Sequence, residues 1–302
     1  WEKVAPSAFA KLKDFGAKYT VLTIETGGIF DDLIVTRLGE GKFFAVINAG
    51  RKHEDISWLQ KHLPDTLTLD YTPDQALLAL QGPEAEKVMK QVMDCDLSGL
   101  GYMKACHVPL HGTPCMVSRL GYTGEDGFEI SVPGERAAAI WESLMTHDDV
   151  KPIGLAARDS LRLEMGYPLY GHDIDDTTSP VEAGLQWVIG KNNERFIGAD
   201  IIRPQLQDGT KRQRIGVKLT DKGIAREGAE IRNKNDEKIG ILTSGGFSPT
   251  LKQAIGMRYI HVYNDQSNKD IFINVRGKNI TAKICALPFI QPKTKTAVKK
   301  AA

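Results

Sequence analysis

The residues of this chain that could do chemistry are carboxylates and arginines set beside glycines, at the ends of runs that read as strands or helices. In TGGIFDDLIV (26–35) two adjacent aspartates, Asp31 and Asp32, stand between a glycine pair and an apolar run. Strand alternation sends neighbouring side chains to opposite faces, so one aspartate meets solvent and the other faces inward. An inward carboxylate is costly without hydrogen-bond partners or chemistry to do. A hairpin turn capped by the aspartates is the plainer reading of this stretch alone. In GYTGEDGFEISVP (121–133), alternation puts Phe128, Ile130 and Val132 on one face and Glu129 with Ser131 on the other, while Glu125 and Asp126 read as solvent-facing turn residues. Glu129 either decorates an exposed sheet face or lines a cleft, where a carboxylate can accept paired N–H groups of a heterocycle. GLAARDSLRLEMGYPLYGHDID (154–175) carries Arg158 and Arg162 four residues apart, beside Asp159 and Glu164. The plain reading is a charged helix face with intrahelical pairs. The small apolar turn 154–157 also predicts a close approach to other backbone, where an arginine's planar fork has recognition to perform. Trp187, in GLQWVIGK, reads as a core residue.

Other chemistries find little support. CHVPLHGTPC (106–115) matches no standard zinc spacing, and its HGTP reads as a hairpin turn. P-loop, strand-linked GxGxxG, HExxH and GxSxG motifs are all missing. Scattered carboxylates and arginines at element ends suit binding, orientation and electrostatic control of a reaction whose reactive atoms belong to a cofactor.

The elements that must position these residues follow from periodicity. Residues 1–15 read as a helix, with Ser7 as cap and Phe9, Leu12 and Phe15 on one face. Strands YTVLTIE, LIVTRL and FFAVIN form a meander around the aspartates. HEDISWLQKHL reads as an amphipathic helix, ALLALQG as a buried strand and PEAEKVMKQVM as a helix with Pro83 in its first turn. ACHVPL, CMVSRLGY and GFEISVP are strand-like. ERAAAIWESLM is a helix packing Ile140, Trp141 and Leu144, and GLAARDSLRLEMG is one closed by Gly166. The polar stretch 190–213 reads as a link. From 214 short strands alternate with Asn, Asp and Gly turns, as in a small all-β domain. The basic tail KTKTAVKKAA (293–302) has no apolar periodicity and reads as disordered.

Length and charge set the outer bounds. At 302 residues the chain can form two or three packed units. A net charge of +1 leaves no whole-protein basic footprint for nucleic acid. No apolar run approaches the roughly 20 residues that span a bilayer. Cys95, Cys106, Cys115 and Cys285 lack the spacing of a disulfide framework and read as reduced thiols. No signal peptide is visible. The chain begins at Trp1 without an initiator Met, so residues upstream, any targeting segment among them, are expected.

Taken together and in order, GGIFDDLIV, ALLALQGPEA, GYTGEDGFEISVP, GLAARDSLRLEMGYPLYGHDID, TTSPVEAGLQWVIGK and IGILTSGGFSPTLKQAIGMRYI resemble the folate-binding T-protein family of the glycine cleavage system. The resemblance implies an α+β fold, three domains in a ring around a folate cavity, ending in a small C-terminal β-barrel. It divides the chain into a folate-binding α+β region of two interleaved subdomains (1–192) and a barrel with the disordered basic tail (193–302). Family members carry several dozen residues before the point matching Trp1, so part of the first domain is expected to be missing here. The end after LPFIQP departs from the family's aromatic ending.

The implied reaction moves the methylene of an aminomethyl group on lipoylated H-protein to tetrahydrofolate and releases ammonia. It implies tetrahydrofolate as co-substrate, no metal, no nucleic acid or membrane partner, and a cytoplasmic site, or the mitochondrial matrix in a eukaryote. Residue by residue, Asp32 matches the catalytic aspartate and Glu129 the carboxylate that holds the pterin. Arg158 matches a substrate-site arginine and Tyr122 a cavity-lining tyrosine. Asp31 then becomes the turn or surface residue of the pair. Asp32 would stabilise an iminium-like cation as ammonia leaves, or orient and deprotonate the attacking folate nitrogen. The alternative within the fold is a folate-dependent demethylase of a small donor of the dimethylsulfoniopropionate or dimethylglycine type. No flavin domain is fused, which argues against the oxidase and dehydrogenase members. The KGCYxGQE-type motif of the iron–sulfur assembly relative is absent.

Overall fold

The computed structural model describes residues 1–93, 96–261 and 271–295. Cys95 and residues 296–302 of the basic tail lie outside that range. In chain order, β1 (Ala17–Thr23), β2 (Ile29–Gly39) and β3 (Lys42–Val46) form a three-stranded sheet, followed by α1 (Lys52–His62). β4 (Gln75–Gln81), β5 (Lys104–Leu110), β6 (Thr113–Arg119) and β7 (Gly127–Pro133) form a second sheet in the order β4-β7-β6-β5, with α2 (Ala85–Val92) and α3 (Gly134–Met145). Next come α4 (Leu155–Glu164) and α5 (Ala199–Asp208). The last sheet has seven strands in the order β10-β9-β13-β14-β8-β12-β11. These are β8 (Arg212–Leu219), β9 (Glu230–Arg232), β10 (Lys238–Ile241), β11 (Ser244–Ser248), β12 (Gln253–His261), β13 (Ile271–Val275) and β14 (Lys278–Cys285). The α+β class read from the sequence holds, with the all-β region at the C-terminal end.

The chain divides into two compact units, neither continuous in sequence. One comprises Trp1–Phe9, Thr20–Leu33 and Ala156–Gln291, the other Ala10–Tyr19, Ile34–Leu155 and Pro292–Ala302. In the second unit the core lies on one face of the four-stranded sheet, where Phe128, Ile130 and Val132 of β7 meet Val88 and Met89 of α2 and Ile140 and Leu144 of α3. Trp141 is 44% exposed, against the expectation that it packs with Ile140. It follows Ile140 by about 100° around the helix and so leaves the buried stripe. β4 sits at the sheet edge with alternate residues exposed, so it is half-covered and not the buried strand expected. The HGTP turn is a two-residue hairpin at His111 (φ 47°) and Gly112 (φ 72°), closing the pair Leu110–Thr113. Cys106 and Cys115 pack in the core cluster, and His107 alternates to the other face of β5. Among the described residues no cluster of three or more His, Cys, Asp or Glu could hold a metal.

In the first unit, residues 1–9 form turns instead of a helix. Asn193 Nδ2 donates to the carbonyls of Glu2 (3.0 Å), Ala5 (3.0 Å) and Ser7 (3.3 Å), and Ser7 Oγ donates to Val188 O at 2.7 Å. Ser7 is therefore a buried bridge and not a cap, and long-range bonds take the backbone groups a helix would use. In the other unit, Phe15 at φ 56° ends any helical path through 10–15. The stretch 190–213, expected to be a polar link, contains α5, whose Ile202 is fully buried with Phe196 and Ala199. The seven-stranded sheet encloses Val217, Leu219, Ile231, Leu242, Ile271 and Ile273. Arg258 on β12 donates across to Ile239 O of β10 at 3.1 Å, joining strands that are not ladder neighbours and curling the sheet. Among the described residues its partners are carbonyls, and burial without a counter-ion pulls its pKa down to about 10.

Candidate functional site

The loop before β2 explains the glycine pair. A Cβ on Gly28 would overlap the Asp176 carbonyl, so only glycine lets residues 175–178 approach. There the Ile29 amide donates to both Asp175 O (3.1 Å) and Thr178 O (3.0 Å). This clasp starts β2 at Ile29, and the aspartates lie in a strand, not a turn. Along β2, Ile29, Asp31, Leu33 and Val35 are buried, while Phe30, Asp32 and Ile34 are half-buried. Asp31 is thus the inward residue, with no exposed surface, which corrects its expected surface position. Its Oδ1 accepts the Asp32 amide at 2.9 Å and so fixes the backbone that carries Asp32. Alternation predicted opposite faces for the pair; the face each takes is set by the parity of the clasp at Ile29.

In the second unit Glu129 stands on β7 opposite Ala79 of β4 and Ser118 of β6, half-buried on the face turned away from Phe128 and Ile130. Tyr122, also half-buried, belongs to the loop leading into β7. Gln81 holds that loop from below: its amide donates to Leu120 O (3.1 Å) and Phe128 O (3.2 Å), and its Oε1 accepts Thr123 Oγ1 (2.9 Å). A Cβ on Gly121 would run into the Gln81 side chain, which accounts for that glycine. Asp126, expected at the surface, is 4% exposed and takes a two-pronged pair from Arg119, Nε at 2.8 Å and Nη2 at 2.6 Å. Arg119 also donates to Leu100 O (2.8 Å) and to Glu86 Oε2 (2.5 Å). Burial would push the Asp126 carboxyl up, but the Arg119 bonds and charge outweigh it and hold it below the usual range. The Arg119 hydrogen bond also lowers Glu86. Residues 293–295, expected to be disordered with the rest of the tail, are held in place: the Lys293 amide donates to Gly124 O (2.7 Å) and Lys293 Nζ pairs with Glu125 (2.6 Å) of this loop, while Lys295 O accepts the Tyr102 amide (2.9 Å).

Arg158 lies in the first turn of α4 and is exposed. The expected close approach of 154–157 does not occur: a Cβ on Gly154 would meet nothing within 4 Å, and Leu155 is 83% exposed. A cation at a helix N-terminus opposes the macrodipole, so helix stability does not account for Arg158. The other end of α4 departs from a charged surface face, because Arg162 and Glu164 are both buried. Trp187, read as core, is 65% exposed, while its neighbours Leu185 and Val188 turn inward. Asp32 and Arg158 belong to the first unit, Tyr122 and Glu129 to the second. The residues that support these segments, Arg119 and Asp126 for the Tyr122 loop and Asp173, which accepts from Arg162 at 2.7 Å, for α4, belong to no catalytic sequence motif. The signal that could have found Asp173 is the hydroxyl pair Thr243 and Ser244, donors that need a buried acceptor.

No helix among the described residues is long and apolar enough to cross a membrane. Two family models cover most of the chain: "GCVT N-terminal domain" matches residues 1–193 and "Glycine cleavage T-protein C-terminal barrel domain" matches 212–291. An aminomethyltransferase of Geobacillus sp. (strain WCH70) is 38% identical over 294 residues, covering 95% of this chain and 80% of the relative. The probable mitochondrial aminomethyltransferase of Schizosaccharomyces pombe is 40% identical over 296 residues, covering 96% and 76%. The crystal structure of glycine cleavage system aminomethyltransferase T from Bartonella henselae superposes with a TM-score of 0.89 at 36% identity, covering 98% of this chain and 81% of that one.

Proposed function

This chain belongs to the glycine cleavage T-protein family, and on that premise we propose that it is an aminomethyltransferase acting with tetrahydrofolate. The methylene of an S-aminomethyl group on the lipoyl arm of an H-protein exchanges its bonds to sulfur and nitrogen for bonds to two folate nitrogens. The two N–H protons of folate end on the departing ammonia and the lipoyl thiol, which balances the step. The observation that carries this reading is the set of relatives named aminomethyltransferase at 36–40% identity across nearly the whole chain. The geometry is compatible: Asp32 and Glu129 are half-buried carboxylates on strand faces turned from the core, and Arg158 is an exposed cation that its helix does not require.

In this reading Asp32 lies against the reacting methylene and stabilises positive charge as ammonia departs, or takes the proton of the attacking nitrogen. Glu129 accepts the paired N–H groups of the pterin. Arg158 holds an anionic part of the substrate, and Tyr122 is a ligand-lining tyrosine of the second unit. A lipoyl arm on a docked carrier raises the local concentration of the methylene to roughly millimolar. Accordingly kcat/KM for aminomethyl H-protein should far exceed that for free aminomethyl dihydrolipoamide, with dimethylglycine and dimethylsulfoniopropionate inactive. Equal efficiency for carrier and free substrate, or turnover of either small donor, would overturn the proposal.

A further inference from the structure

The C-terminal half of α4 is held far more firmly than its exposed first turn. Arg162, 4% exposed, donates to Asp159 Oδ1 (2.8 Å), Asp173 Oδ2 (2.7 Å), Ser244 Oγ (2.9 Å) and Tyr167 O (3.3 Å). Asp173 accepts in turn from Ser244 Oγ (2.7 Å), Thr243 Oγ1 (2.6 Å) and the Leu169 amide (3.1 Å). Glu164 makes a second anchor, accepting Ser248 Oγ (2.5 Å), Thr250 N (3.0 Å) and Thr250 Oγ1 (3.0 Å). Its backbone carbonyl accepts the amides of Phe289 (3.0 Å) and Ile290 (3.3 Å).

Both anchors end on one strand. Ser244 and Ser248 open and close β11, which is paired along its length with β12. Four strand residues span about 13 Å, so the attachments lie far enough apart to fix both the axis and the rotation of α4, where one would let it pivot. Gly246, between them, has Leu163 Cδ2 within 3.4 Å of where its Cβ would be, so the helix lies close on the strand. Apolar residues of similar volume could bury this interface at equal or lower cost, and a dense buried polar network is best used to fix register. Arg158 sits four residues, about 6 Å, upstream of Arg162 on the same helix.

We propose that β11 and its flanking residues, the segment 243–250, are the platform that aims Arg158, with Asp173 and Glu164 as positioning residues that never touch substrate. The inference rests on the reading of Arg158 as a substrate-site residue. It assigns the C-terminal sheet a part in substrate binding by way of α4.

The test is a double-mutant cycle read in steady-state kinetics with aminomethyl H-protein and tetrahydrofolate. Asp173→Asn should raise the tetrahydrofolate KM about fivefold and leave kcat within about twofold. Arg158→Ala should raise it at least as much, and Asp173→Asn should add nothing further in the Arg158→Ala background. Ser244→Ala, which keeps the ion pair, should give the same pattern at about threefold and carries the test if Asp173→Asn does not fold. Ser244→Thr should restore KM. Losses that multiply in the double variants would overturn the positioning role while leaving Arg158 in the site. An Arg158→Ala variant with unchanged KM and kcat would instead remove Arg158 from the site, and this inference with it.

Discussion

Two buried arginines hold the segments that carry candidate site residues, and they are neutralised differently. Arg119 fixes the loop bearing Tyr122, and two carboxylates share its charge, Asp126 at 5% and Glu86 at 19% side-chain exposure. Lys295 adds a contact to Glu86 at 3.1 Å. Arg162 fixes α4 through Asp173, whose side chain is fully buried, and Asp159, which is 49% exposed and screened by water. The first cluster spreads its compensation; the second concentrates it in one residue. The same device is therefore robust in one unit and brittle in the other.

Substitutions at the two arginine clusters should differ in cost. Asp173→Ala should cost about 3–5 kcal/mol in denaturant unfolding, the range for stranding a buried charge. Asp126→Ala should cost about 1–3 kcal/mol, because Glu86 still faces Arg119. Equal losses would show that the two clusters do not differ in redundancy. A pH titration probes the Arg119 cluster on its own. Asp126 and Glu86 have folded pKa values below their unfolded ones, so their stabilisation is complete above about pH 5 and lost as pH falls through the lowered values. Acid unfolding of wild type should steepen below about pH 4, and Asp126→Asn should flatten that limb. The smallest effect belongs to Lys293→Ala, whose exposed pair with Glu125 should contribute no more than about 0.5 kcal/mol. A larger loss would make the side chain, and not the Lys293 amide on Gly124, the holder of the loop.

How far the sequence reaches can be judged from particular residues. The apolar stripe of β7 and the opposite face of Glu129 follow from alternation alone, and so does the two-residue turn at His111–Gly112. The Gly166 stop of α4 is similarly local, with φ 63°. Which of Asp31 and Asp32 turns inward is not local, because a two-residue period is symmetric and a clasp about 150 residues away sets its phase. Residues 1–9 have helical spacing, yet Asn193 claims their carbonyls. Asp126 has turn composition, but its burial depends on Arg119 at the end of β6. Trp187 is apolar in type and 65% exposed, which hydrophobicity cannot announce. For Asp31 and for residues 1–9, a partner distant in sequence overrode a local preference.

The assignment of the paired aspartates is tested most directly by single-turnover formation of methylenetetrahydrofolate from aminomethyl H-protein, with tetrahydrofolate binding measured alongside by calorimetry. Asp32→Asn should slow the turnover by at least about 10²-fold with folate Kd within about threefold, since its contribution lies in the transition state. Asp31→Asn should lower thermal stability and leave the rate within about threefold, because Asp31 is buried and acts on the backbone of Asp32. Retention of the wild-type rate by Asp32→Asn, or an equal loss of rate from both variants, would contradict the account.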